Sequence, residues 1–237
     1  MTADLRTPTL PGLRTWRTAL TLDSAESDRC HDAHQLYRLV LSGFGADTPK
    51  GPASTGRPAH VLFAPAREEP PSVGGNERPD AGRPVKVLVQ SPQLPNWQPL
   101  LDDGRLRSAD AFTAEYTYRA GQSIQLRVIA NPSRKLRSPT RRVSLTDPTQ
   151  VRAWLHRRLL EHGLSTDVDD IVVGPPRWIV GTKGTGDRFQ LVSRTLQAGA
   201  IVLDAALVHD LLRDGLGQGK SYGCGLVLTH SNPPAEQ

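Results

Sequence analysis

The order of apolar segments constrains this chain more than any single motif. Thr15–Asp23 (TWRTALTLD) alternates with the two-residue period of a strand. His31–Phe44 (HDAHQLYRLVLSGF) places Leu36, Leu39, Val40 and Phe44 on one helical face, and Asp28 or Asp32 can cap its start. Ala59–Ala64 and Val85–Gln90 read as strands, Trp97–Asp102 as a short helix and Ala111–Tyr118 as a further strand. The series is therefore β-α-β-β-α-β.

The second half predicts the same series. Gln122–Ala130 (QSIQLRVIA) is a cleanly alternating strand, and Pro148–His162 is a helix with Pro148 near its start and Gly163 just past its end. Asp170–Val180 and Phe189–Ala198 read as a strand pair joined through GTKGTGD, Ala205–Arg213 as a helix and Gly223–Thr229 as the closing strand. Two such series, meeting near Arg119–Gly121, predict an α+β chain of two tandem ferredoxin-like (RNA-recognition-like, βαββαβ) domains, 1–119 and 120–237. The 237 residues suffice for two domains of about 100 each. The halves share no repeated sequence, so the duplication rests on the pattern alone. Pro65–Pro84, with five prolines and three glycines, predicts a long polar connection outside that pattern.

Three segments can carry chemistry. Leu216–Leu226 (LGQGKSYGCGL) follows a helix and precedes a strand. Its glycines allow close backbone approach, so Gly217 and Gly219 with Lys220, Ser221 and Tyr222 can form an anion-binding concavity. The loop runs from helix into strand, which excludes the phosphate loops of nucleotide-binding folds. A plain flexible turn fits the composition equally well. Ser133–Arg142 (SRKLRSPTRR) reads as a loop in which Arg134, Lys135, Arg137, Arg141 and Arg142 can span several phosphates, or merely stay solvated. The net charge of +5 is compatible with an anionic partner. On the first helix, His34 and Tyr37 are three residues apart and share one face. Such a pair can take a proton from one oxygen and donate one to another without a metal. Taken alone, a histidine near a helix start also fits a cap or surface role.

Other chemistry is poorly supported. Cys30, His31 and His34 lack the second ligand pair of a zinc site, so no metal or cofactor is expected. Cys30 and Cys224 make no disulfide framework, and the chain has no run of about 18 apolar residues. These features predict a reduced, cytoplasmic protein with no membrane partner.

Three segments in order resemble the CasE family of CRISPR-associated endoribonucleases: TWRTALTLD with DAHQLYRLVLSGF; LVQSPQLPNW with LRVIANPSRK; and GLGQGKSYGCGL. The resemblance runs from about Trp16 to Thr229. It implies metal-independent cleavage of CRISPR precursor RNA within each repeat, leaving a 2′,3′-cyclic phosphate and a 5′-OH. It also implies that the product stays bound by its hairpin and that the chain joins a type I-E Cascade complex. His34 and Tyr37 would then be catalytic, with the basic and glycine-rich segments holding RNA. Many family members read Tyr-x-x-His at the start of the first helix, whereas this chain reads His34-Gln-Leu-Tyr37. The resemblance thus implies exchanged positions, with His34 the principal acid or base and Tyr37 orienting or stabilising. A lysine that some relatives carry further along falls at Ser42. A non-catalytic RNA-binding subunit and a binder of a small anion remain the alternative readings.

Overall fold

Polypeptide geometry follows the expected series closely. The computed structural model describes residues 12–45, 60–66, 84–135, 142–184 and 186–231. In the first half, β1 (Leu13–Leu22) is followed by α1 (Ser24–Arg29), α2 (Ala33–Ser42), β2 (Leu62–Ala66), β3 (Lys86–Ser91), α3 (Gln98–Asp102) and β4 (Leu106–Tyr116). These strands form one antiparallel sheet in the order β2-β3-β1-β4. In the second half come β5 (Ser123–Ala130), β6 (Ser133–Lys135), β7 (Arg142–Ser144), α4 (Pro148–Glu161), β8 (Leu164–Ser165), β9 (Val172–Val173), β10 (Arg177–Thr182), β11 (Arg188–Val202), α5 (Ala205–Asp214) and β12 (Val227–Ser231). Its main path runs β10-β11-β5-β12. Counting only the four strands of each main path in chain order, both sheets have the strand order 2-3-1-4, which is the ferredoxin-like topology.

The departures have local causes. The predicted His31–Phe44 helix forms as α2, with Asp32 capping His34 and Gln35, while a separate short helix, α1, capped by Asp23, precedes it and was not predicted. The predicted strand Asp170–Val180 is split, since Gly174, Pro175 and Pro176 interrupt pairing and proline lacks the donor a ladder needs. The basic segment is not wholly a loop. Its two ends pair as the antiparallel ribbon β6–β7, with Ser133 opposite Ser144 and Lys135 opposite Arg142. Arg137 and Arg141 lie outside the described residues. The closing strand starts four residues later than predicted, because the glycines before it form a separate packed turn.

Each half has its own core. Leu20, Leu22, Leu36, Leu39, Val40, Val87, Val89 and Trp97 fill the first. Leu126, Val128, Trp154, Leu155, Leu196, Val208 and Leu211 fill the second. Among the described residues, no helix is long and apolar enough to cross a membrane.

The halves also interlock. The end of α5 lies on the sheet of the first half, where the Gln90 side chain donates to the Leu212 carbonyl at 2.6 Å. The start of α2 lies on the sheet of the second half, where Ala33 packs with Ile179, Phe189, Leu191 and Tyr222.

A buried carboxylate organises the first half. Glu26 accepts from Arg105 Nη2 at 2.8 Å and from Nε at 3.1 Å, and Arg29 lies 3.6 Å away. The hydrogen bonds from Arg105 hold its pKa below the ordinary glutamate value, against the opposing effect of burial. Burial, with the Glu26 charge, pushes the Cys30 thiol up to about 12. Replacing one partner of a buried pair strands the other, although the half-exposed Arg105 softens the loss. Glu26→Gln should therefore cost about 2 kcal/mol in urea unfolding at pH 7. Because the folded-state pKa is depressed, the wild-type advantage should be full above about pH 4.3 and vanish as pH falls through the lower folded value. A difference independent of pH down to acid unfolding would contradict the pairing.

Candidate functional site

Asp32 is the point from which the site is built. One carboxylate oxygen caps α2, accepting from His34 N at 2.8 Å and Gln35 N at 3.2 Å. The other accepts from Thr182 N of β10 at 2.8 Å. A single side chain thus fixes the start of the helix to the edge of the other sheet. The approach is close enough that Gly181 has no room for a side chain. A Cβ there would lie 2.6 Å from the Phe189 ring and 3.1 Å from His34 N.

Helical spacing then sets His34 and Tyr37 on the same face, with ring centroids 6.0 Å apart. His34 Nδ1 is buried and has no hydrogen-bond partner within the protein. The Tyr37 ring meets Tyr222 edge-on at 6.3 Å, and Tyr222 packs on Phe189 at 4.2 Å. Burial, and secondarily the Asp32 charge, raise the Tyr222 pKa. Its phenol therefore stays protonated at neutral pH and is available as a donor. Beside this cluster, His31, Asp32, Val180, Gly181, Thr182, Arg188, Phe189 and Gln190 line an open cleft of about 590 Å³.

The glycine-rich segment is a packed turn rather than a flexible one. Leu216 N bonds Gly225 O at 2.8 Å, Tyr222 N bonds Gly219 O at 2.8 Å, and Gly225 N bonds Ile129 O at 2.7 Å. Gly215 has φ +73°, and a Cβ there would lie 2.7 Å from the Gly225 carbonyl and 2.8 Å from Leu62. Residues Lys220–Tyr222 form a single 3-10 turn. Gly217, Gly219 and Ser221 are half-buried along it. Lys220, expected to offer its charge to a ligand, instead donates from Nζ to the Asp214 carbonyl at 2.6 Å. Its ammonium thus satisfies a carbonyl at the end of α5, and this contact anchors the turn to the helix.

The turn also meets the basic ribbon. Asn131 bridges to Gln218, only two residues before β6 begins. Leu145 N bonds Pro132 O at 2.8 Å and closes the root of the ribbon. Arg194 ties the Thr146 carbonyl to β11 at 2.6 Å. Arg134, Lys135 and Arg142 are exposed on the ribbon itself. The three segments singled out in the sequence therefore adjoin one another, with Tyr222 as the link to Tyr37 and Asn131 as the link to the ribbon.

Sequence reasoning missed the second bond of Asp32, and with it Gly181, Phe189 and Arg188. Only the Asp32 cap itself had a local signature. Among the described residues, no three His, Cys, Asp or Glu side chains are grouped to hold a metal ion. Cys30 and Cys224 are both buried and unbridged.

A family model described as "CRISPR associated protein" matches residues 15–230. The chain belongs to this family. It is 31% identical over 160 residues to the CRISPR-associated endoribonuclease Cse3 of Thermus thermophilus, covering 61% of this chain and 72% of that protein. A solved structure of Thermus thermophilus Cse3, bound to an RNA representing a pre-cleavage complex, superposes with a TM-score of 0.71 at 25% identity, covering 92% of this chain and 99% of that one. Cas6e of Escherichia coli shares the fold at a TM-score of 0.61 and 22% identity, covering 90% and 98% of the two chains. The family relationship identifies a CasE-type protein.

The Asp32 link makes two expectations measurable. Asp32→Ala should lower stability by about 1–2 kcal/mol in urea, as loss of a helix cap does. Asp32→Asn keeps a capping oxygen but removes the charge, so it should shift the Tyr222 phenol to lower pH. Ultraviolet titration against a Tyr222→Phe control reads that shift, and an unmoved titration would separate the two groups.

Proposed function

We propose that the chain is a metal-independent endoribonuclease that cleaves CRISPR precursor RNA within the repeat hairpin and retains the product. The observation that carries this reading is the convergence of His34 and Tyr37 with the glycine-rich turn and the basic ribbon, in a chain of the CRISPR-associated family. The ribose 2′-oxygen attacks the adjoining phosphorus and gives up its proton, and the bond to the 5′-oxygen breaks. That oxygen takes a proton and leaves as a 5′-OH, while the phosphate closes to a 2′,3′-cyclic ester. His34 carries the proton transfer, and Tyr37 orients the phosphate or stabilises its developing charge. Tyr222, a neutral donor beside Tyr37, supports the same charge.

Hairpin RNA presents a deep major groove that side chains read poorly, so shape and phosphates supply most of the recognition. The ribbon residues Arg134, Lys135 and Arg142 suit that task, and the sequence between them adds Arg137 and Arg141, which lie outside the described residues. Relatives in a solved CRISPR RNA-guided surveillance complex share the fold. A place as the RNA-holding subunit of a type I-E Cascade complex is consistent with retention of the product. The exchanged order of His34 and Tyr37 favours one competing reading, a subunit that binds the hairpin without cutting it.

Cleavage of the cognate repeat RNA should persist in EDTA and stop when the scissile nucleotide is 2′-deoxy. His34→Ala should slow single-turnover cleavage about 10²–10⁴-fold with little change in affinity, the usual range for loss of proton transfer. Undiminished cutting by that variant would remove His34 from the chemistry, and no cutting by wild-type protein at any pH would favour the binding subunit. Separately, Arg134→Ala or Arg142→Ala should weaken hairpin binding and flatten the slope of log affinity against log salt by about 0.7–0.9 for each phosphate no longer neutralised. An unchanged slope would take the ribbon out of the RNA interface.

A further inference from the structure

β10 is the edge strand of its sheet, and it exposes two large apolar side chains where an edge ordinarily carries charge. Trp178 is 60% exposed and Val180 47%. The other three tryptophans are more enclosed: Trp97 and Trp154 are buried and Trp16 is half-buried. Register puts Trp178 opposite Val192, Val180 opposite Gln190 and Thr182 opposite Arg188, so all six share one face of the sheet.

Both ends of this strip reach the proposed RNA site. At one end, Asn131 donates to the Val192 carbonyl, and Arg194 holds the root of the ribbon on the same face. At the other, Val180, Gln190, Thr182 and Arg188 line the cleft beside His31 and Asp32. Trp178 to Thr182 spans about 13 Å along the strand. The strip thus runs from the root of the cationic ribbon to the edge cleft at the start of α2, with the exposed Arg188 along it. Helix α2 itself packs on the opposite face, through Ile179, Phe189 and Leu191.

We infer that Trp178 and Val180 form a stacking platform for an unpaired base of the RNA, adjoining the hairpin held by the ribbon. This rests on the function proposed above. Every nucleobase has an apolar face, so an exposed indole on a strip that ends at Arg188 and at the root of the cationic ribbon fits a single strand without requiring a sequence. The same cations disfavour a purely apolar partner at this edge.

The test uses the full chain and two repeat hairpins, both 2′-deoxy at the scissile position, one with its unpaired flanks and one trimmed to the stem-loop. Trp178→Ala should weaken binding of the flanked RNA about tenfold or more and leave the trimmed hairpin unchanged. Trp178→Phe, which keeps a ring, should stay within about threefold of wild type on both. Equal affinity of Trp178→Ala and wild type for the flanked RNA would overturn the platform, as would equal losses on both RNAs. Normal RNA binding with loss only of assembly into a larger complex would assign the strip to a protein partner and also overturn it. If wild-type protein binds neither hairpin, the proposed function fails first and the platform falls with it. If it binds both alike, the platform alone fails.

Discussion

The carboxylate of Asp32 is the contact on which the site depends. It satisfies orphan donors at the start of α2 and, with its second oxygen, a donor on the edge of the other sheet. That second bond adds a directional tie to the apolar packing of Ala33 on the sheet of the second half. With it, the helix start is held against β10, and His34 and Tyr37 meet Tyr222 and Phe189. An ionised acceptor sharing three backbone donors is a strong, directional tie, roughly twice as strong per bond as a neutral one. The geometry also explains Gly181, since a side chain there would strike the Phe189 ring at 2.6 Å and crowd His34 N at 3.1 Å.

The opposite end of the interface is built by the same rule. The end of α5 lies on the sheet of the first half, and the glycine-rich turn continues from it. His60 Nδ1 lies 2.6 Å from Asp214 Oδ1, and Tyr118 bonds Thr229 at 2.6 Å. Lys220 closes the turn onto the last carbonyls of α5, where the helix dipole favours a cation. Each sheet therefore has one face covered by its own helices and part of the other covered by a helix end from the opposite half. Tandem duplication of a βαββαβ unit leaves two open sheet faces, and this exchange shields apolar surface on both.

How much was legible follows from the range of the interactions. Alternation and helical periodicity are local, so both βαββαβ series could be read, down to the Asp32 cap and Pro148 at the start of α4. The short helix α1 was missed because Ser24–Arg29 holds one apolar residue, Ala25, and so shows no apolar periodicity. The ribbon was read as a loop because arginine, serine and proline there carry no strand signal, and its pairing closes through backbone atoms of Pro132 and Leu145. The aromatic cluster could not be read at all, because Phe189 and Tyr222 are separated by 33 residues and joined only in space.

The glycine-rich turn was singled out for one reason, and the structure gives its glycines another. Composition suggested a backbone loop open to phosphate, with a lysine to hold the charge. In the structure, glycine is required first by packing: positive φ and contacts under 3 Å at Gly215 and Gly225 leave no space for a side chain. That packing makes the turn rigid, and rigidity sets Tyr222 against Tyr37. A turn that served only as an anion cradle would need Lys220 facing outward. Here the lysine holds the turn in place, and the tyrosine two residues later is the side chain that meets Tyr37. The cations that solvent can reach and a large anion can approach are instead the exposed arginines of the ribbon and Arg188 at the cleft.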